Sequence, residues 1–327
     1  MYNITADFHF SGCDSMSDSS RDIPNCLSPV ITSRRELDPI ATSLQRRLAS
    51  LQDVQVVVLD VYGTLVISGS GEVGTAEDKR QNHDQATESN VDPVQQAAAA
   101  AGVSDLQRLP TMDAIRARIE RVNQARLMDT NPRPEVEILD IWRAEWIASD
   151  RVDVAADPRL VCEIAARVES VTNPTWPMPG ATKALADLHA RGFKLGIVSN
   201  AQVYTIPLVE DLIGGSLESR FDLNLCFFSN RYRASKPGPL MFDRLVGELA
   251  RRNIAPEQAV YVGNDMLNDV YAAKNAGLKT ALFAGDAHSL RLRQDHAYCA
   301  DLSSDVVMTS WNHLVECLGE GQRNPQS

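Results

Sequence analysis

The residues of this chain best suited to chemistry are three aspartates, a lysine and a serine-asparagine pair, each in a segment that follows an apolar run. Asp60 closes the apolar part of VVVLDVYGTLV, Val56 to Val66. A carboxylate there stands where open parallel sheets bind their ligands, and it can act as a nucleophile. Tyr62, Gly63 and Thr64 follow: Gly63 permits a tight reversal, and Thr64 is expected to bring a hydroxyl donor back towards Asp60. Downstream, Ser199 and Asn200 offer a hydroxyl, an amide and backbone N–H groups to an anion. Lys236, ahead of Pro237, offers an ammonium at a loop end, with Pro237 suited to the first position of the next helix. In YVGNDMLND, Tyr261 to Asp269, the carboxylates of Asp265 and Asp269 are four apart and would share one face of a helix start. Bringing Asp60, Asp265 and Asp269 together costs about 4 kcal/mol per pair at ~4 Å and an effective dielectric of about 20. Lys236 offsets only part of that cost, and a divalent cation held by oxygen ligands without His or Cys points to Mg²⁺. Taken singly, each feature also has a plainer reading, as a turn residue, a solvated lysine or a helix cap.

These residues need a scaffold that brings strand ends together. Val56 to Val66 shows no alternation of polarity and reads as a strand buried on both faces, which requires a parallel sheet covered by helices. After Trp176, strand candidates Phe193–Val198, Leu223–Phe228, Ala259–Val262, Lys279–Phe283 and Asp305–Met308 alternate with helical patterns such as Gly180–Ala190 and Pro239–Arg251. That rhythm predicts an α/β, doubly wound parallel sheet into which the Asp60 strand pairs. Between them, Val91 to about Ser170 reads as helical throughout, with Ile115, Ile119 and Val122 on one stripe and Ile138, Ile141, Trp142 and Ile147 on another. The expected organisation is a mobile leader and one helix over 1–50, an α/β core over 51–72 and 176–318, an inserted all-helical domain over 73–175, and a disordered tail over 319–327. The helix of the first segment starts at Ser33, with Leu37, Ile40, Leu44, Leu48 and Leu51 at helical spacing. The glycine-rich SGSGEVG, Ser68 to Gly74, reads as the hinge into the insertion, since it lacks the Lys-Ser or Lys-Thr of a phosphate-binding P-loop. Trp142 and Trp146 read as packing residues.

The formal net charge of -11, from 32 basic and 43 acidic side chains, repels polyanions and argues against nucleic acid as partner. A small anionic substrate then needs local positive charge, and Arg116, Arg118, Arg126 and Arg143 of the insertion are candidates to supply it. No apolar run reaches the ~18 residues needed to span a membrane. The six cysteines are scattered without paired spacing, so we expect reduced thiols and a cytoplasmic location, with no disulfide framework or zinc site.

Asp60 with Gly63-Thr64-Leu65, then Ser199, then Lys236-Pro237, then Gly263-x-Asp265-x-x-Asn268-Asp269 resemble, in order, the four motifs of the haloacid dehalogenase-like (HAD) hydrolase superfamily. The resemblance covers about Val54 to Leu314 and implies a Rossmann-like core, with the insertion similar to a type 1 helical cap. Carried over, it makes Asp60 the nucleophile, Ser199 a contact to phosphate or carboxylate, and Lys236 the charge balancer. It makes Asp265 and the Tyr62 main-chain carbonyl Mg²⁺ contacts beside Asp60, with Asp269 supporting both the metal and Lys236. Tyr62 departs from the phosphatase pattern, which places a second Asp there. Tyrosine, with an ordinary pKa of about 10, is a poor base at neutral pH. Asp-x-Tyr-Gly-Thr is instead the form seen in 2-haloacid dehalogenases, whose aspartyl ester is hydrolysed without metal; those enzymes typically lack the acid that Asp265 supplies. The expected activity is a Mg²⁺-dependent phosphatase acting on a small phosphorylated metabolite, with a 2-haloacid dehalogenase and a non-catalytic binding module as alternatives. The small anionic substrate is accordingly a phosphate ester or a 2-haloacid.

Overall fold

The computed structural model describes residues 25–70 and 92–319. The expected leader up to residue 24, most of the glycine-rich hinge with the hydrophilic stretch after it, and the tail from residue 320 lie outside the described residues. Strand β1 (Val56–Leu59) has all four side chains fully buried, as its uniformly apolar sequence requires. The chain next forms β2 (Val66–Ser68), which pairs antiparallel with β3 (Thr175–Pro177) as a separate two-stranded ribbon. This ribbon joins the two strands between which the inserted helices are strung. Strands β4 (Lys194–Ser199), β5 (Cys226–Phe228), β6 (Ala259–Gly263), β7 (Lys279–Phe283) and β8 (Val306–Met308) join β1 in one parallel sheet of order β5-β4-β1-β6-β7-β8. Alternate residues of β1 enter different cores. Val57 and Leu59 pack with the helices Ala181–Ala190 and Trp311–Cys317, whereas Val56 and Val58 pack with Leu240–Arg251. Helices on both faces make the sheet doubly wound, and β1 lies at its centre, between β4 and β6.

The insertion contains the helices Pro93–Ala100, Met112–Arg126, Ile138–Ala148, Val152–Ala155 and Pro158–Thr172. Trp142 and Trp146 are both buried, with the Arg151 guanidinium over the Trp146 ring. The helical pattern does not run unbroken. Residues 127–137 contain Pro132 and Pro134, which remove backbone donors and stop a helix. The segment instead returns to the core, where Ser235 N–H donates to Arg133 O (2.7 Å) and Glu135 N–H to Arg233 O (3.0 Å).

The helix expected over Ser33 to Leu51 does not form. Pro39 interrupts it, and the chain runs in extended fashion along the core, satisfying its backbone through partners far away in sequence: Ile40 N–H on Asp286 (2.9 Å), Arg47 N–H on Val307 O (3.0 Å) and Leu51 N–H on Cys317 O (2.8 Å). Upstream, the end of the supposed leader is ordered. Pro29–Thr32 is a short helical turn, and Leu27 and Val30 are buried in the main core.

Candidate active site

Asp60 is the first residue past β1. Its N–H donates to Val262 O (2.9 Å), which continues the ladder and sets the side chain at the carboxyl rim between β4 and β6. Lys236 reaches this point from the loop after β5. Its Nζ lies 2.9 Å from Asp60 Oδ1 and 2.6 Å from Asp269 Oδ1, and it donates to the Tyr261 hydroxyl (2.8 Å). The Tyr261 hydroxyl in turn donates to Val198 O (2.6 Å). Asp60, Lys236 and Asp269 are 8%, 4% and 0% exposed, so this is a buried ion cluster in which each charge depends on the others. Burial opposes the Lys236 charge, but Asp269 and then Asp60 outweigh it and raise its pKa, so the ammonium stays protonated. Burial is also the largest influence on Asp269 and raises its carboxyl, with Lys236 pulling it back.

The neighbouring backbone is shaped to admit these groups. A Cβ on Gly263 would lie 2.3 Å from Asp269 Cγ, so only glycine lets that carboxylate lie against the strand. Gly63 turns at φ +74°, and a Cβ there would meet both Asn264 Nδ2 and Ser289 Cβ at 2.6 Å. Asn200 spends its amide on the Lys236 backbone, accepting from Lys236 N–H (2.7 Å) and donating to Lys236 O (3.3 Å), so it fixes the loop that delivers the ammonium. The Ser199 hydroxyl is buried and donates to Asn200 O (3.1 Å). The helix after Lys236 begins at Leu240, so Pro237 lies in the loop and not at that helix's first position.

Two expectations about side-chain direction, for Thr64 and for the Asp265–Asp269 pair, are corrected here. Thr64 donates to Asn264 Oδ1 (3.1 Å), not back to Asp60, because the turn at Gly63 faces the loop after β6. The Tyr62 hydroxyl pairs with Thr205 (3.1 Å); burial first, then Glu169, push this phenol far above the ordinary tyrosine value, so it stays neutral. Asp265 and Asp269 do not share a helix face. Asp265 is extended (φ −117°) and caps a wide π-type turn over Met266–Tyr271, so the four-residue spacing spans the helix boundary. Asp269 points inward to Lys236, and its Oδ2 accepts the Asp265 N–H (2.9 Å).

The Asp265 carboxylate is fully engaged. Oδ1 accepts the N–H groups of Leu267 (2.7 Å) and Asn268 (3.1 Å), and Oδ2 accepts Asn268 Nδ2 (3.1 Å) and Arg293 Nη2 (2.8 Å). A carboxylate has about four lone-pair sites, and all of these are taken. Among the described residues no group of three or more acidic, His or Cys side chains converges in a way that could hold a metal ion. The donor set therefore does not fit the expected Mg²⁺ site built on Asp60, Tyr62, Asp265 and Asp269. Of the four arginines in the insertion, Arg116 and Arg118 pair with Asp113 and Glu145, while Arg126 and Arg143 donate to Glu135 O (3.5 Å) and Ala155 O (3.3 Å). All four make these bonds within the insertion.

Residues 54–277 match the haloacid dehalogenase-like hydrolases. The chain belongs to that family. It is 31% identical over 141 residues to the glyceraldehyde 3-phosphate phosphatase of Pyrococcus furiosus, covering 43% of this chain and 54% of that one. It is 30% identical over 147 residues to the phosphoglycolate phosphatase of Salmonella paratyphi A, covering 44% and 52%. The chain thus spans about half the length of the curated relatives it matches. The crystal structure of a 2-haloacid dehalogenase from Pseudomonas syringae superposes with a TM-score of 0.52 at 17% identity, over 81% of this chain and 97% of that one, which is a likeness of HAD fold.

Tyr261, Asn264, Thr205 and Arg293 were not singled out in the sequence. Tyr261 and Asn264 lie inside the motif that supplies Asp269, and a tyrosine within an otherwise apolar strand signals a buried hydroxyl that needs a partner. Arg293 has no such signal, lying 28 residues beyond Asp265 in a stretch without a helical or strand period.

Proposed function

We propose that this protein hydrolyses small phosphate monoesters through a covalent intermediate on Asp60. The observation that carries the reading is the Asp60 carboxylate at the rim of the central strand, with Lys236 Nζ at 2.9 Å from Oδ1. Among the described residues no donor is bonded to Oδ2, which leaves that oxygen for attack. The phosphatase names of the two relatives favour phosphorus over carbon as its target. In the first step Asp60 Oδ2 attacks phosphorus, the ester P–O bond breaks, and the leaving oxygen takes a proton from solvent water. In the second step water attacks the aspartyl-phosphate, releasing inorganic phosphate and restoring Asp60. Lys236 holds positive charge beside the reacting carboxylate throughout. Asn200, and Ser199 through the Asn200 carbonyl, position the Lys236 loop, and Thr64 ties the Asp60 turn to Asn264. Magnesium, which the family resemblance implies, is given no step, because the Asp265 and Asp269 oxygens that would hold it are engaged. The insertion acts as a cap over the rim, and the five described cysteines, all free thiols, support a cytosolic site of action.

One observation favours a second reading. The neutral Tyr62 phenol, bonded to Thr205, cannot serve as the acid and base that a phosphatase uses at that position. Displacement of halide from a 2-haloacid needs no such proton: Asp60 Oδ2 would attack the halogen-bearing carbon, halide would leave, and water would hydrolyse the ester. Incubating the protein with an aryl phosphate and with 2-chloropropionate, each with and without EDTA, decides between them. Phosphate release is expected. Chloride release alone would establish the second reading, and silence with both substrates would leave a non-catalytic binding module.

A further inference from the structure

We propose that Arg293 is a built-in counter-cation of this site, standing where a divalent cation would otherwise neutralise Asp265. Asp60, Asp265 and Asp269 bring three negative charges to neighbouring strand ends, and Lys236 balances only the Asp60–Asp269 side. Arg293 supplies the second positive charge: Nη2 and Nε lie 2.8 and 3.2 Å from Asp265 Oδ2, a side-on approach by two donors of one guanidinium. The Asp265 side chain is 6% exposed and that of Arg293 25%, so the pair is shielded from bulk water on one side only.

The loop is built to deliver this arginine. Arg291 N–H donates to Asn264 O (3.0 Å) and Met266 N–H to Arg291 O (2.8 Å), which stitches the loop to the two residues flanking Asp265. Two positions on, Arg293 has a left-handed backbone (φ 50°), a conformation that costs of order 1 kcal/mol for a residue with a side chain. The local cost is offset where the side chain meets Asp265. With the four lone-pair sites of Asp265 filled by Leu267, Asn268 and Arg293, a metal ion could enter only by displacing the guanidinium. The protein is thereby expected to work without added metal, and metal binding becomes a competition with Arg293.

The activity arm of the test rests on the proposed hydrolase reading, whereas the binding arm does not. Calorimetric titration of the full chain with Mg²⁺ should show no saturable uptake for the wild type and for Arg293→Lys, while Arg293→Met should take up Mg²⁺ saturably, at a concentration at least about tenfold below any at which the wild type responds. Phosphate release by the wild type should be unchanged by EDTA. In Arg293→Met it should fall by about tenfold or more in EDTA and recover with Mg²⁺. A merely structural arginine would lower stability without making turnover depend on the ion. Saturable Mg²⁺ uptake by the wild type, with the same affinity in Arg293→Met, would overturn the proposal. Should Arg293→Met fail to fold, wild-type uptake and Arg293→Lys decide it. Should no substrate be turned over, the hydrolase reading fails while calorimetry still decides the role of Arg293.

Discussion

Two groups of acids in this protein, one buried and one half-buried, meet desolvation with different partners. At the sheet rim, Asp60 and Asp269 share Lys236, which both carboxylates hold in its charged form. Where residues 133–137 of the insertion touch the core, Glu135 and Glu137 are met by neutral donors. Glu135 accepts the Val136 N–H (2.9 Å) and the Ser229 hydroxyl (3.2 Å), and Glu137 accepts Asn230 Nδ2 (2.8 Å). Burial is the largest influence on Glu135 and pushes its pKa up to about 7. A carboxylate needed as a nucleophile has to keep its charge, and a lysine ensures that at the cost of desolvating both partners. A carboxyl at a docking surface can keep its proton instead, and then its ionisation follows the pH of the medium.

The contrast breaks most severely if Lys236 is removed. Lys236→Met leaves two carboxylates buried without their cation, and we expect a loss of about 3–5 kcal/mol in urea denaturation together with loss of turnover. Stability within 1 kcal/mol of wild type would mean that the cluster relaxes into water. Asp60→Asn tests the other half of the assignment. It removes the nucleophile and one of the two carboxylates beside Lys236, so activity should vanish while the melting curve stays close to that of the wild type. Full activity would remove Asp60 from the mechanism. Gly263→Ala is milder: its methyl group would meet Asp269 at 2.3 Å and push the carboxylate off Lys236, at an expected cost of about 1–3 kcal/mol.

The sheet was legible because strands buried on both faces must be written as largely apolar runs, and β1 and β6 are such runs. Helix ends near proline were less so. The leucine spacing from Leu37 to Leu51 is genuine, but Pro39 and distant backbone partners such as Val307 and Cys317 override it, and no local pattern reveals a partner more than two hundred residues away. At the site, Asp60 was visible at the end of an apolar strand, Lys236 at a loop end before Pro237 and Asp269 in the segment after the Tyr261 strand, and the structure brings them together. The direction of the Asp265 carboxylate was hidden, because the spacing argument assumes a helix already begun at residue 265, while the backbone there is still extended. Its partner Arg293 is set by a loop whose shape depends on pairing with Asn264 and Met266, and a single chain carries no sign of that pairing.

The smallest effect sharpens the comparison most, because it follows one acid that has no lysine beside it through its ionisation. With its pKa raised from near 4.5 to about 7, Glu135 stays protonated in the folded protein while the unfolded chain ionises it. Between those two values the unfolded state binds fewer protons, so this residue's contribution is fully present below about 4.5 and is lost as pH rises through 7. Among the described residues, the charged neighbours that act on the shift are Glu137, which raises the value, and Arg233, which lowers it. In Glu135→Gln the side chain keeps its acceptor for Ser229 and cannot ionise, so that slope should disappear. The gap between the two proteins in urea denaturation should open across this window to on the order of 1–3 kcal/mol, with the variant the more stable at high pH. Parallel stability curves from pH 4.5 to 7.5 would show that water reaches Glu135 and that the junction with the insertion holds a charge.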